Sequence, residues 1–182
     1  MAETIAETAR LRLRTWDEAD IAPFMAALNT PAVMQWLGGL GDDALYRNLF
    51  ERMQACQSAH GYCFWIVERQ SDAQLLGFCG LYRTERTGLS VDGMTEIGWR
   101  LREDAWGHGY AREAAEASLN TAFGALGLEQ ILAYTVRENH ASWGLMQRLG
   151  MIRAREFDHI YDHASGPIDT IVYKIDRRDW TQ

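Results

Sequence analysis

Cysteine is scarce in this chain of 182 residues: only Cys56, Cys63 and Cys79 occur, an odd number without the paired spacing of a metal site. Cys63 and Cys79 alternate with large apolar residues as core-facing strand positions do. That argues against a catalytic thiol and for reduced, buried side chains in a cytoplasmic protein. No apolar run approaches the roughly 20 residues needed to cross a bilayer. The first residues carry Glu3 and Glu7 and no apolar centre, so no signal peptide is expected. No block of Lys and Arg offsets the net charge of −7, which excludes a general nucleic-acid binder. Repeats, low-complexity tracts and linkers are also missing. Apolar and charged contents of 47% and 24% are ordinary globular values, and one domain spanning residues 1–182 is expected.

Two nucleotide motifs are absent as well. No Gly-x-x-x-x-Gly-Lys-Ser/Thr occurs, and Gly107 and Gly109 lack the third glycine of a dinucleotide fingerprint. What stands there is Trp106-Gly107-His108-Gly109-Tyr110-Ala111, between an extended stretch at 94–101 and an alanine-rich helical segment. The glycines permit positive φ and a close backbone approach. The helix beyond them begins with unpaired N–H groups and a partial positive charge, which together make a socket for phosphate oxygens. An ordinary strand-to-helix turn would use the same glycines. With the commoner motifs excluded, a pyrophosphate socket of another kind is the functional alternative.

Periodicity orders the rest. Leu11, Leu13 and Thr15 alternate with Arg10, Arg12 and Arg14 as a strand with one wet face does. Asp17 caps a helix carrying Ile21, Phe24, Met25 and Leu28, which ends near Pro31. An apolar loop at 34–39 holds Trp36, and a second helix is expected over 42–57. Strands are expected at 62–68, 75–82 and 94–101, with a polar loop at 83–92. A helix over 109–126 places Ala111, Ala114, Ala115, Ser118, Leu119, Ala122 and Phe123 on a narrow face and stops at Gly127. A strand at 131–136, a helix at 142–149 stopped by Gly150, and strands at 151–160 and 168–175 complete a mixed α/β order.

Several blocks carry a family resemblance. They are Thr8-Ala9-Arg10-Leu11-Arg12-Leu13-Arg14 followed by Asp20, Glu96-Ile97-Gly98-Trp99-Arg100-Leu101, the loop at 106–111, Asn139-His140-Ala141-Ser142, and Leu149-Gly150-Met151. In these the chain resembles the GNAT superfamily of N-acetyltransferases, which use acetyl-CoA. Within it, the chain is similar to the branch that includes bacterial ribosomal-protein N-terminal acetyltransferases, the Rim-type enzymes. Trp106 stands where the superfamily often has Gln or Arg; the Rim-type branch commonly has Trp. The resemblance implies an α/β (mixed α+β) fold, with a central, mostly antiparallel sheet of about seven strands flanked by helices. It also implies acetyl-CoA as co-substrate, no metal, and a primary-amine acceptor that is a small molecule or a protein N-terminus. Neither nucleic acid nor membrane is expected as a partner, and the molecule is expected to be a monomer or homodimer.

By the same resemblance, backbone groups of Trp99, Arg100 and Leu101 pair with the pantetheine arm. Trp106, Gly107, His108, Gly109, Tyr110, Ala111, Arg112 and Glu113 hold the pyrophosphate, with Asn139 and Ser142 also facing the cofactor. Glu96 is the candidate base, against a structural carboxylate bonded to backbone or an Arg. Many relatives place a Tyr acid where this chain has Met146; Ser142 could donate a proton or bond the sulfur. A thiol leaving group, with a reference pKa of about 8.5, needs little help. Asn139 could equally be a helix cap, and His108 a phosphate contact or a solvated residue. His159, Asp162 and His163 could form a metal site or a solvated loop. Trp36, Trp65 and Trp143 read as core or pocket wall. The acids of 83–92 and 157–169 would steer a cationic acceptor. A CoA-binding sensor or interaction module on the same fold is the alternative to an enzyme, and a generic phosphate-binding protein the more distant one.

Overall fold

The computed structural model describes residues 2–163 and 166–181. The alternation at the start of the chain becomes β2 (Leu11–Arg14), with Leu11 and Leu13 buried and the arginines on the wet face. Its outer neighbour is β1 (Thr4–Glu7), which lacks any marked alternation and pairs antiparallel with β2. Then follow α1 (Ile21–Leu28), the short α2 (Pro31–Met34) capped by Thr30, and α3 (Asp43–His60) capped by Asp42. Next come β3 (Phe64–Arg69), β4 (Gln74–Arg83) and β5 (Thr95–Leu101). The second half holds α4 (Tyr110–Phe123), β6 (Gln130–Val136), α5 (His140–Arg148), β7 (Ile152–Arg153), β8 (His159–His163) and β9 (Gly166–Asp176).

The described strands form one sheet in the order β1-β2-β3-β4-β5-β6-β9-β7, with β8 beside β9. The sheet is a mostly antiparallel one flanked by helices, as expected, but it has nine strands where about seven were expected. One addition is β1. The other arises because 151–160 is not one strand. Asp158 accepts the N–H of Val172 at 3.0 Å and grips Arg153 with both oxygens, at 2.6 and 2.5 Å. The carboxylate replaces a ladder bond and turns the chain between β7 and β8. Helix boundaries also differ: the short α2 runs into the apolar loop, α3 extends to His60, α4 ends at Phe123 and α5 begins at His140.

Side-chain direction follows from register. Phe78 faces Arg100 and Tyr82 faces Glu96 across β4 and β5, on the side that carries α1 and α3. Cys79 and Trp99 point to the opposite side, where α4 packs and the Cys79 thiol lies 3.7 Å from the Ser118 hydroxyl. The narrow face of α4 is buried as expected, its alanines allowing close approach to the sheet. All three cysteines are buried and free, and burial pushes the Cys79 thiol up to about 12, which leaves no reactive thiolate.

One polar knot pins β2 to the 3-10 turn that leads into α1. Arg14 donates two hydrogen bonds of 2.8 Å to Asp20 and a third to Glu68, while Asp20 also accepts the N–H of Asp17. Asp20 and Arg14 are largely removed from water, so removing one partner strands the other. Asp20→Ala is expected to destabilise the fold by roughly 3 kcal/mol in urea unfolding. A change below about 0.5 kcal/mol, the range of an ordinary surface substitution, would show that the knot is dispensable.

Candidate active site

The sheet consists of two antiparallel blocks joined by one parallel contact, β5 against β6. That contact is registered at a single described pair, Glu96↔Leu132, whereas β5 continues to Leu101 and β6 to Val136. Beyond this pair the strands part. Both run the same way, so both lead to helix N-termini at the open end: β5 through 102–109 into α4, and β6 through 137–139 into α5. A crevice outside the carboxyl ends of parallel strands is where such sheets take ligands.

The edge of β5 at this opening is polar. Thr84 N–H bonds to Met94 O and Arg102 N–H to Leu76 O, each at 2.8 Å, which sets the alternation of the β4–β5 ladder. Even-numbered residues of β5 thus bond toward β4, and the backbone groups of Ile97, Trp99 and Leu101 point toward β6. The Leu101 carbonyl is taken by Trp106, whose indole N–H donates to it at 2.8 Å. Trp106 therefore locks the end of β5, with its ring half-exposed.

The socket at the start of α4 has the expected shape. Gly107 and Gly109 have φ of 78° and 80°, conformations costly for any residue with a Cβ. Gly109 caps the helix without a side-chain hydrogen bond, so the N–H groups of Tyr110, Ala111 and Arg112 open the helix with no capping oxygen. Glu113 differs from its neighbours. Its N–H already donates to Gly109 O at 3.1 Å, and its carboxylate accepts Thr8, the Arg10 N–H and the Arg10 guanidinium. Arg10 also donates to the His108 carbonyl at 2.9 Å and lies over the Tyr110 ring. The His108 ring is exposed beside Tyr110. Arg10 and Glu113 thus brace the loop from behind.

Across the opening, Asn139 caps α5, its side chain accepting the Ser142 N–H at 3.3 Å. Ser142 is partly exposed in the first turn. Met146 is buried in the main core, so no acid occupies that position.

Glu96 lies where the strands begin to part, on the face opposite α4. It lines a narrow cavity of about 160 Å³ together with Arg52, Tyr82, Thr84, Glu85, Arg86 and Tyr134. The Tyr134 hydroxyl donates to Glu96 Oε1 at 2.8 Å. Burial pushes the Glu96 carboxyl up to about 7, against the Tyr134 hydrogen bond and the charges of Arg86 and Arg52, which favour its ionised form. Burial and the neighbouring carboxylate raise the Tyr134 hydroxyl, so it stays a donor. Arg52 bonds the Tyr82 hydroxyl at 3.3 Å, and Arg86 lies over the Tyr134 ring. Sequence reasoning missed Tyr134, Arg52 and Arg86. The only signal for Tyr134 was its position two residues beyond Leu132, and that is uninformative until the β5–β6 register is known.

Other expectations resolve differently. Asp158 is ion-paired with Arg153, so it is not a free steering charge, whereas Asp92 is exposed and accepts the backbone N–H of Arg86 at 2.8 Å. His159 is buried, with its Nδ1 3.0 Å from the Phe157 carbonyl. The side chains of Asp162 and His163 lie outside the described ones, and among the described residues no metal-ligand cluster occurs. Trp65 is core, whereas Trp36 is partly exposed and Trp143 bonds the Arg137 carbonyl. No helix of the described residues is long and apolar enough to cross a membrane.

Comparison with known proteins agrees with this geometry. A family model described as an acetyltransferase (GNAT) domain matches residues 10–152. The chain belongs to the GNAT acetyltransferase family. Among relatives of this acetyltransferase, the uncharacterized protein YkkB of Bacillus subtilis is 32% identical over 151 residues, covering 82% of this chain and 86% of its own. An acetyltransferase from Agrobacterium tumefaciens superposes with a TM-score of 0.76 at 25% identity, over 95% of this chain and 94% of that one. The ribosomal-protein-S5-alanine acetyltransferase of Vibrio fischeri shares the fold, with a TM-score of 0.75 at 16% identity over 100% of both chains. This GNAT protein is an N-acetyltransferase, and the family uses acetyl-CoA. The uncapped amides of α4 and the edge of β5 beyond its one pair with β6 are groups that fit a diphosphate and an amide-bearing arm.

Gly109→Val tests the socket. Valine at φ 80° is strained, and its Cβ would lie about 3.5 Å from an Arg10 nitrogen. Acetyl-CoA at a hundredfold excess over its Kd should stabilise the parent by about 2.7 kcal/mol. The variant should fold and lose most of that gain in a thermal-shift titration. Unchanged affinity would place the phosphates elsewhere.

Proposed function

We propose that this enzyme transfers an acetyl group from acetyl-CoA to a primary amine by direct attack on the thioester, with Glu96 as the base. The observation that carries the reading is the Glu96 carboxyl: desolvated, held by Tyr134, and placed where β5 and β6 begin to part. Bound acetyl-CoA supplies the thioester carbonyl and a thiolate leaving group. The backbone of Trp99 and Leu101 orients the pantetheine arm, and the amides of Tyr110, Ala111 and Arg112 receive the diphosphate. Trp106, Gly107, His108 and Gly109 shape that socket, and Arg10 with Glu113 braces it. A backbone N–H of β5 directed at the carbonyl oxygen contributes about 3 kcal/mol of barrier lowering.

Glu96 takes the amine proton, directly or through one water in the cavity. A carboxylate titrating near 7 is ionised enough to accept a proton and basic enough to draw it. Arg52 and Arg86 favour the neutral amine, since like charges disfavour an ammonium ion. Asn139 fixes the first turn of α5 and holds Ser142 there, whose hydroxyl would serve the departing thiolate as a hydrogen-bond donor. The sensor alternative rests on the buried Met146, and a thiol leaving group removes the need for an acid there. The three buried free thiols support a cytoplasmic setting.

Glu96→Gln should lower kcat about a hundredfold with little change in acetyl-CoA affinity, and should abolish the acidic limb of the rate profile near pH 7. Tyr134→Phe removes a bond to the ionised form and should move that limb to higher pH. Full activity of Glu96→Gln across pH would exclude Glu96 as the base. Stability carries the same signature. The folded pKa of about 7 exceeds the ordinary 4.5, so the parent should lose stability as pH rises between these values. Urea unfolding of Glu96→Gln should lack that slope.

A further inference from the structure

On the face of β5 that carries Glu96, the next residues along the strand are Gly98 and Arg100. Gly98 has no side chain, and the Phe64 ring lies over it; a Cβ there would come within 2.9 Å of that ring. Phe64 stacks on Phe78 at 4.9 Å, and Arg100 rests over the Phe78 ring at 5.2 Å. The face therefore reads, along the strand, as a carboxyl, an aromatic floor and a guanidinium, the two polar ends being about 13 Å apart at the backbone.

Arg100 is poorly satisfied. Its Nη1 reaches the Met34 thioether sulfur at 3.8 Å, a weak acceptor, and its Nε is sealed from solvent without a hydrogen-bond partner. Among the described residues no carboxylate lies within salt-bridge distance of it, whereas Arg10, Arg12, Arg14, Arg69 and Arg153 all have acidic partners. Desolvation lowers it to about 10, uncommon for a group that is otherwise always charged. A guanidinium removed from water is costly unless an anion meets it. Met34 belongs to α2, whose capping Thr30 is tied to Glu103 beyond β5 by a 2.5 Å hydrogen bond, so the wall over Arg100 is held in place.

We propose that Arg100 is a specificity-determining residue that receives a carboxylate of the acceptor. The acceptor class is then a small amino-carboxylate whose amine reaches Glu96 while an apolar stem lies on Phe64. This inference rests on the acetyl-transfer reading above and deepens it. It also replaces the cationic acceptor that the acidic loops suggested.

The test is thiol release from acetyl-CoA with ω-amino acids from glycine to 6-aminohexanoate, each compared with its carboxamide. For at least one chain length the parent should favour the carboxylate at least about tenfold in kcat/KM, the value of one charge-assisted hydrogen bond. Arg100→Gln should bring that ratio toward one, with Arg100→Lys intermediate, while the Kd for acetyl-CoA by calorimetry is retained. Amides turned over as well as carboxylates by the parent at every length would overturn the assignment while leaving acetyl transfer intact. Loss of acetyl-CoA affinity in both variants would also overturn it, because the anion met by Arg100 would then be a cofactor phosphate. Turnover of no amine in either series would overturn both this inference and the reading beneath it. The parent comparison stands even if a variant fails to fold.

Discussion

The structure turns on the parallel contact between β5 and β6. Antiparallel neighbours on either side are fully laddered, from Gly77↔Leu101 to Arg83↔Thr95 on one and from Gln130↔Asp176 to Val136↔Thr170 on the other. Between the two blocks a single described pair holds the strands together. Backbone groups buried without partners are unfavourable, so an edge left open inside a sheet needs water or a ligand to satisfy it. Both strands also lead to helix N-termini at this end of the sheet, and the partial charge at the start of α4 favours an anion there. Binding edge and phosphate socket thus share one cause.

The chemistry depends on a second constraint, the poise of Glu96. Burial alone would keep the carboxyl protonated, whereas Tyr134, Arg86 and Arg52 draw it toward ionisation. Neither influence by itself would place the group near neutrality, where a base is most useful. The same surroundings make the residue a stability liability at alkaline pH, a common exchange at functional sites. Structural carboxylates behave otherwise. Asp158 lies low because Arg153 and the Val172 N–H favour its charge despite partial burial, and it serves to turn the chain.

Features written in local order were legible in the sequence. The glycines at 107 and 109, the alanine face of α4, the Asn139 cap and the position of Glu96 on a strand all follow from neighbours a few residues apart. The strand order and the cavity were not legible in the same way. Tyr134 meets Glu96 across 38 residues of chain, and Arg52 comes from a helix whose polar face reads as solvated. Glu113 belongs by spacing to the phosphate loop, yet its carboxylate is turned back by Arg10, more than 100 residues earlier. The break in 151–160 depends on Asp158 finding Val172, again a tertiary event. β1 was hidden because its four residues, Thr4–Glu7, form a partly exposed edge without a buried face to announce it.

The claim on which the rest depends is that the cofactor completes the open edge between β5 and β6. Backbone amide hydrogen exchange with and without saturating acetyl-CoA measures this directly. Protection should rise together at Trp99 and Leu101 on β5 and at Tyr110, Ala111 and Arg112 on α4, with β1 and β2 unchanged. Protection confined to other segments, or to α4 without β5, would contradict the account.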